Sequence, residues 1–153
     1  MNTALVIIHS ILAVFLLGAV THQTLAVWWR VPAGPQNFFD RFRAVRAAGY
    51  ANAIVALFLL TACLGAYLYP VYRISVRIVL EDLRRYTPVG LFEAKEHLVA
   101  IGLGVLPAYW FYWRRRELDR HVLTRKMLTL MLALIVWAAF LVGHIINNIR
   151  GFA

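Results

Sequence analysis

Four long apolar runs constrain the fold of this chain more than any other feature of its sequence. They cover residues 4–29, 50–69, 88–113 and 127–149, the third with a polar lead-in. A helix needs about 20 predominantly apolar residues to cross the hydrocarbon core of a bilayer. Each run meets or nearly meets this length. The sequence therefore predicts an all-α, four-transmembrane-helix bundle that forms a single integral membrane domain over residues 1–153.

The overall composition agrees with this prediction. Hydrophobic residues make up 62% of the chain, well above the roughly 45–50% that is usual in soluble domains. The single cysteine, Cys63, lies inside the second run, so neither a disulfide nor a dithiol redox motif can form within the chain. The first run has no basic residue before it and is longer than a signal-peptide core, so we expect it to be retained as a span.

The positions of the basic residues predict the orientation in the membrane. The net charge is +9, but the bases lie beside the ends of the apolar runs and do not indicate nucleic-acid binding. Because lysine and arginine are enriched in cytoplasmic loops, we place loops one and three inside and both termini outside a bacterial inner membrane. The bases of those loops are Arg30, Arg41, Arg43, Arg46, Arg114, Arg115, Arg116, Arg120, Arg125 and Lys126. The second loop dilutes its bases with acidic residues.

Two shorter segments are expected to lie at the membrane surface. Residues 38–46 are predicted to form a short interfacial helix that leads into the second span. After Pro70, apolar and charged residues recur on different faces at helical spacing, which predicts an amphipathic interfacial helix between spans 2 and 3. Its apolar face comprises Tyr72, Val76, Val79, Leu80 and Leu83, and its charged face comprises Arg73, Arg77, Glu81 and Arg84.

Three histidines on three different runs fall at a similar depth. With the predicted orientation, His9, His97 and His144 lie near the outer face, roughly 7–13 Å inside their helix ends at 1.5 Å per residue. Glu93 precedes His97 by one helical turn, so the two lie on one face. Polar residues inside spans are costly, rare and usually functional. The three imidazoles are therefore the candidate site.

This arrangement favours one b-type haem held between two of the imidazoles. Haem iron accepts axial histidine ligands, and helical bundles hold such cofactors in their cores. We expect His97 to be one ligand and either His9 or His144 to be the other, and the sequence does not choose between these two.

The residues around the histidines offer the other parts that a haem needs. Gly104 lies about two turns from His97 on the same face and leaves room for the macrocycle. Arg73 and Arg77 on the predicted surface helix are candidates to pair with the haem propionates, because arginine binds carboxylates in a bidentate geometry.

Several alternatives remain open. The three imidazoles with Glu93 are also suited to a copper, zinc or iron ion, although a second E-x-x-H element is missing. The histidines would only pack helix against helix if the chain were a non-catalytic scaffold subunit of a membrane complex. A histidine left over from haem ligation would suit a quinone site. A second haem between His22 and His121 is less favoured, because His22 is rotated about 140° from His9 and His121 lies among charged residues.

Four spans with His9, His97 and His144 near one face resemble the arrangement in small four-helix membrane b-type cytochromes and, more loosely, in CopD-like integral membrane domains. The resemblance covers the whole chain as an architecture. It implies electron transfer, by a haem-bearing subunit that links the quinone pool to a partner on the outer side. Because so little of the chain lies outside the predicted spans, we expect it to act with other membrane or periplasmic redox subunits, or by self-association.

Overall fold

The computed structural model of the chain describes residues 3–29, 37–43, 47–114 and 120–151. These residues are helical apart from short turns, and none of them lies in a β-strand. The helices are α1 (Thr3–Trp28), α2 (Phe38–Arg43), α3 (Ala47–Tyr72), a π-helix (Arg73–Arg77), α4 (Ile78–Asp82), α5 (Tyr86–Arg114) and α6 (Val122–Gly151). The predicted all-α class is confirmed, and a long helix covers each of the four apolar runs.

The four long helices pack side by side. Each contacts two others, in the cyclic order α1, α3, α5, α6 and back to α1. The N-terminal parts of α1 and α5 and the C-terminal parts of α3 and α6 surround one cavity. Successive long helices therefore run in opposite directions, as is typical of bundles with short connections.

Three of these helices are long and apolar enough to cross a membrane, which supports the prediction of a membrane protein. They cover Thr3–Trp28, Ala47–Asp82 and Val122–Ile149. In the most apolar 18-residue stretch of each helix, no more than 33% is buried within the protein. This is expected for helices whose outer surfaces contact lipid. The helix α5 is not among the three, and its N-terminal part carries Glu93, Lys95 and Glu96 ahead of a shorter apolar stretch.

The segment after Pro70 differs from the prediction of a separate surface helix. Here α3, the π-helix and α4 form one continuous helix over Ala47–Asp82. Pro70 lies inside α3, and the backbone stays in the right-handed helical region at both ends of the π-helix, at Tyr72 and Ile78. Proline removes one backbone donor, and the π-helix after it shifts the hydrogen-bonding register. The expectation that Pro70 ends the span is therefore wrong.

The amphipathic pattern of this segment is nevertheless confirmed in part. Tyr72, Val76 and Leu80 are buried and form a small hydrophobic cluster with Val89 of α5 and Ile146 of α6. Two other members of the predicted apolar face, at positions 79 and 83, are exposed. The apolar face thus packs against the start of α5 and the end of α6.

A larger hydrophobic cluster fills the opposite half of the bundle. It contains the fully buried Ile54 and Leu132. Gln23 and Tyr109 are fully buried within it, and the Tyr109 hydroxyl donates to Gln23 Oε1 over 2.5 Å. The Gln23 amide in turn donates to the Ala47 carbonyl over 2.9 Å. These two hydrogen bonds connect α1, α3 and α5, because each buried polar group has a partner on another helix.

The short helix before α3 is confirmed over Phe38–Arg43. The Asp40 backbone N–H donates to Asn37 Oδ1 over 2.9 Å, so Asn37 caps this helix at its N-terminus. Residues 44–46 lie outside the described part of the chain, as do Arg30, Arg115 and Arg116 of the loops predicted to be cytoplasmic.

Candidate ligand-binding cavity

A cavity of about 440 Å³ lies between the two hydrophobic clusters and is lined by members of both. Its volume is within the range of about 300–1,000 Å³ that is usual for small-molecule sites. Its polar lining residues are His9, Ser10, Thr61, Tyr69, Tyr72, Lys95, Glu96, His144 and Asn147. The rest of the wall consists of aliphatic, aromatic and glycine residues. A cavity of this composition suits an amphipathic ligand.

The structure brings two of the three candidate histidines into this cavity. His9 of α1 and His144 of α6 both line it, whereas His97 of α5 does not. His97 is exposed, and its Nδ1–H donates to the Glu93 carbonyl one turn earlier over 2.7 Å. Lys95 faces the cavity, and two residues rotate a helix by about 200°, which turns His97 to the opposite side. The three histidines thus share one end of the bundle but not one site.

His9 is packed against a glycine on the neighbouring helix. A Cβ atom at Gly65 of α3 would lie 3.2 Å from His9 Cε1. Only glycine leaves the imidazole ordinary contact distance at this position. The close approach of α1 and α3 here depends on that small residue, as is common in membrane helix packing.

Three buried polar atoms around the cavity have no hydrogen-bond partner among the described residues. They are His9 Nδ1, Thr61 Oγ1 and Tyr72 Oη. Buried polar groups are nearly always paired in native proteins, with protein, water or ligand. All three belong to residues of one cavity wall, so the unpaired polar atoms are concentrated around this cavity.

Aromatic rings form a second part of the wall. The rings of Tyr72 and Phe92 are stacked with centroids 3.6 Å apart and planes 12° apart, and Tyr69 stacks on Phe92 at 6.1 Å. On α6, Phe140 is parallel to the imidazole of His144, with centroids 6.5 Å apart and planes 2° apart, and both residues line the cavity. These flat surfaces favour a planar or aromatic ligand, because π-systems prefer stacked or edge-on contacts.

His144 differs from His9 in its surroundings. It is exposed, and its Nε2 lies 3.2 Å from the Asn148 side-chain amide nitrogen, which donates to it. A metal ion or a ligand that needs Nε2 must therefore replace this hydrogen bond. Asn148 lies one turn away on α6 and is exposed, so its amide can turn to solvent or to lipid headgroups.

One pair of opposite charges lines the cavity. The ammonium of Lys95 lies 2.8 Å from Glu96 Oε1 and 4.1 Å from the centroid of the Phe92 ring. The Lys95 side chain is 15% exposed and that of Glu96 is 36% exposed. Lys95 is thus mostly enclosed, whereas Glu96 reaches the solvent-accessible rim.

The other predicted site residues lie outside the cavity. Arg77 forms ion pairs with Glu81 over 2.7 Å and with Glu93 over 2.8 Å, which connect the end of the long α3–α4 helix to α5. Arg73 is exposed, with its guanidinium 5.9 Å from the centroid of the Tyr69 ring. Gly104 is exposed too, and a Cβ atom there would meet nothing within 4 Å.

The remaining histidines contact aromatic rings in the other half of the bundle. His22 stacks on Tyr50 with centroids 5.1 Å apart, and His121 lies edge-on to Tyr112 at 5.2 Å. Among the described residues, no group of three or more His, Cys, Asp or Glu side chains is placed to hold a metal ion.

Sequence reasoning missed the contribution of α3 to the cavity. Thr61, Gly65, Tyr69 and Tyr72 all line it. Their spacing of four, four and three residues places them on one helical face. The run of polar and small residues at that spacing, inside an otherwise apolar span, was the signal that could have identified this wall.

Comparisons with family models, with curated proteins and with solved structures find no match to this chain.

Proposed function

We propose that this chain is a membrane-integral electron-transfer subunit that holds one b-type haem in the cavity between α1, α3, α5 and α6. His9 and His144 would hold the haem iron in this proposal, in place of a pair that includes His97. The observation that carries it is that imidazoles from two different helices, α1 and α6, line one cavity.

The residues of the cavity fit such a cofactor. His9 and His144 both line the cavity, and haem iron accepts imidazole nitrogen as a ligand. Phe92, Tyr72 and Phe140 supply aromatic surface. When bound, haem supplies one-electron redox chemistry, while the protein sets the position of the ligands and excludes water.

The fit requires one rearrangement at His144. The Asn148 amide must leave Nε2 before that nitrogen can bind iron. A typical intramolecular hydrogen bond contributes only about 0.5–1.5 kcal/mol net. A metal–ligand bond therefore outweighs the hydrogen bond that it replaces.

The proposal also includes the orientation of the chain in the membrane and its redox partners. We infer that α5 acts as the fourth span and that both termini lie outside a bacterial inner membrane. The bases Arg114, Arg120 and Lys126 occupy the end of the bundle opposite to the cavity, which supports a cytoplasmic location for that end. The cavity then lies near the outer face, where a haem held in it would transfer electrons between the quinone pool and a membrane or periplasmic redox subunit.

Optical spectroscopy tests the proposal. Protein purified in detergent from haem-replete cells should show a Soret band and, after dithionite reduction, split visible bands. His9→Ala and His144→Ala should lose or strongly change these bands. His97→Ala and His22→Ala are matched controls and should keep them. Loss of the bands in His97→Ala alone would overturn the proposed ligand pair.

One observation favours a second function, that of a non-catalytic scaffold subunit. His144 already has a hydrogen-bond partner in Asn148 on its own helix, as a histidine with a packing role would. In that case the purified protein is colourless, and His144→Ala affects stability or assembly alone.

A further inference from the structure

We propose that Lys95 binds a carboxylate of the cavity ligand and so fixes its orientation. The inference rests on the proposed haem site, because haem b carries two propionate carboxylates. It assigns the carboxylate-binding role to a lysine of α5 in place of the two arginines that the sequence suggested.

The position of Lys95 carries this assignment. Its side chain lines the cavity and is only 15% exposed, and its ammonium lies over the face of Phe92 at 4.1 Å. Phe92 stacks on Tyr72, whose hydroxyl is buried without a partner among the described residues. The ring that carries the ammonium is therefore itself held in place by stacking at the cavity wall. This is a suitable environment for an anionic group, since charge-assisted hydrogen bonds are stronger than neutral ones.

Lys95 keeps donors available for a ligand. A lysine ammonium has three N–H donors, and Glu96 Oε1 at 2.8 Å accounts for one of them. Glu96 is the more exposed partner, at the rim of the cavity. It therefore balances the charge of Lys95 when no ligand carboxylate is bound, and it competes with such a carboxylate for the ammonium.

The two arginines are less suitable. Arg77 already pairs with Glu81 and Glu93, and Arg73 is exposed and outside the cavity. Among the described lysines and arginines, Lys95 alone lines the cavity wall.

A comparison of two porphyrins tests the inference. The full chain, purified in detergent without porphyrin, is titrated with iron protoporphyrin IX and separately with its dimethyl ester, and Soret absorbance reports binding. The wild-type protein should prefer the free acid by about tenfold or more, since hydrogen bonds between charged groups are among the stronger ones in proteins. Lys95→Gln should remove most of this preference, and Lys95→Arg should retain it. Arg73→Gln is the matched control and should leave it unchanged.

A second variant tests the role of Glu96. Glu96→Gln removes the competing carboxylate, so the preference for the free acid should rise severalfold. An unchanged or smaller preference would show that Glu96 does not compete for Lys95.

The outcomes separate this inference from the proposed function. If the wild-type protein binds both porphyrins equally, or if Lys95→Gln keeps the full preference, the role of Lys95 is wrong while the haem site stands. If neither porphyrin binds, the proposed function itself fails. Because the result is a ratio of two affinities in the same variant, a general loss of stability does not mimic it.

Discussion

The imidazole of His9 on α1 lies against Gly65 on α3, so closely that a Cβ atom at position 65 would be 3.2 Å from His9 Cε1. Such a distance is shorter than ordinary van der Waals contact, so any larger side chain displaces the ring. His9 also lines the cavity. The position of the proposed iron ligand is therefore set by a glycine on another helix.

Gly65→Ala should weaken haem binding. The imidazole must move by a few tenths of an ångström, which uses up much of the tolerance of about 0.5 Å that sites of this kind have. We expect a loss of about three- to tenfold in haem affinity, measured by Soret titration. Gly18→Ala is the matched control on α1, because a Cβ atom there meets nothing within 4 Å. Equal effects of the two substitutions would contradict the role of Gly65.

Gly102→Ala should destabilise the bundle. A Cβ atom at Gly102 would lie 2.5 Å from Phe58 Cζ and 3.3 Å from Ile135 Cγ2, and overpacking of a core costs about 1–3 kcal/mol. Gly104→Ala, two residues later on α5, meets nothing within 4 Å and should be neutral or stabilising by up to about 1 kcal/mol. Thermal unfolding in detergent measures both. A Gly104→Ala protein that is less stable than Gly102→Ala would refute this packing.

Tyr109→Phe should lower stability by removing the hydrogen bond to Gln23. The Gln23 amide oxygen would then be fully buried without the Tyr109 hydroxyl, and leaving a buried acceptor unpaired costs about 1–3 kcal/mol. Tyr67→Phe is the control, because Tyr67 is 69% exposed and surface substitutions usually change stability by less than about 0.5 kcal/mol. Denaturant unfolding compares the two, and equal midpoints would argue against the buried hydrogen bond.

Arg84→Gly should stabilise the turn between α4 and α5. Arg84 has a φ of 54°, the left-handed region, which costs a non-glycine residue about 1–2 kcal/mol. The Arg84 N–H donates to the Glu81 carbonyl and the Arg85 N–H to the Leu80 carbonyl, which is the Schellman pattern that favours glycine at this position. We expect a gain of about 0.5–1 kcal/mol in the free energy of unfolding, measured by denaturant titration in detergent.

Arg85→Gly is the control for this substitution. Its φ is not positive, so glycine relieves no strain there and adds freedom to the unfolded chain. Greater stability in Arg85→Gly than in Arg84→Gly would contradict the explanation.

The helices, and the placement of His9, His97 and His144 at one end of the bundle, could be predicted from the sequence, because both depend on counting residues along apolar runs. The side of α5 that faces the interior of the bundle could not be predicted from the sequence. Apolar residues cover most of that helix, so its pattern indicates no strong direction, and His97 and Lys95 are nearly opposite each other on it. The sequence favoured His97 as the α5 residue that binds the ligand. In the structure, Lys95 and Glu96 line the cavity instead.

Helix boundaries, too, could be predicted only in part. The lengths of the apolar runs predicted where each long helix lies. Pro70 suggested that the second helix ends there, but in the structure this helix continues beyond it. A proline removes one hydrogen bond without always ending its helix, and the packing of Val76 and Leu80 against Val89 and Ile146 stabilises the continuation beyond it. Such contacts between distant segments cannot be read from local sequence.

The most direct test of the account is chemical rescue of His9. The His9→Gly variant, purified from haem-replete cells, should lack the low-spin haem spectrum of the wild-type protein. Added imidazole should restore it, because a free imidazole can occupy the space of the missing side chain and bind the iron. An unchanged spectrum in His9→Gly, or a wild-type protein that contains no haem at all, would contradict the account.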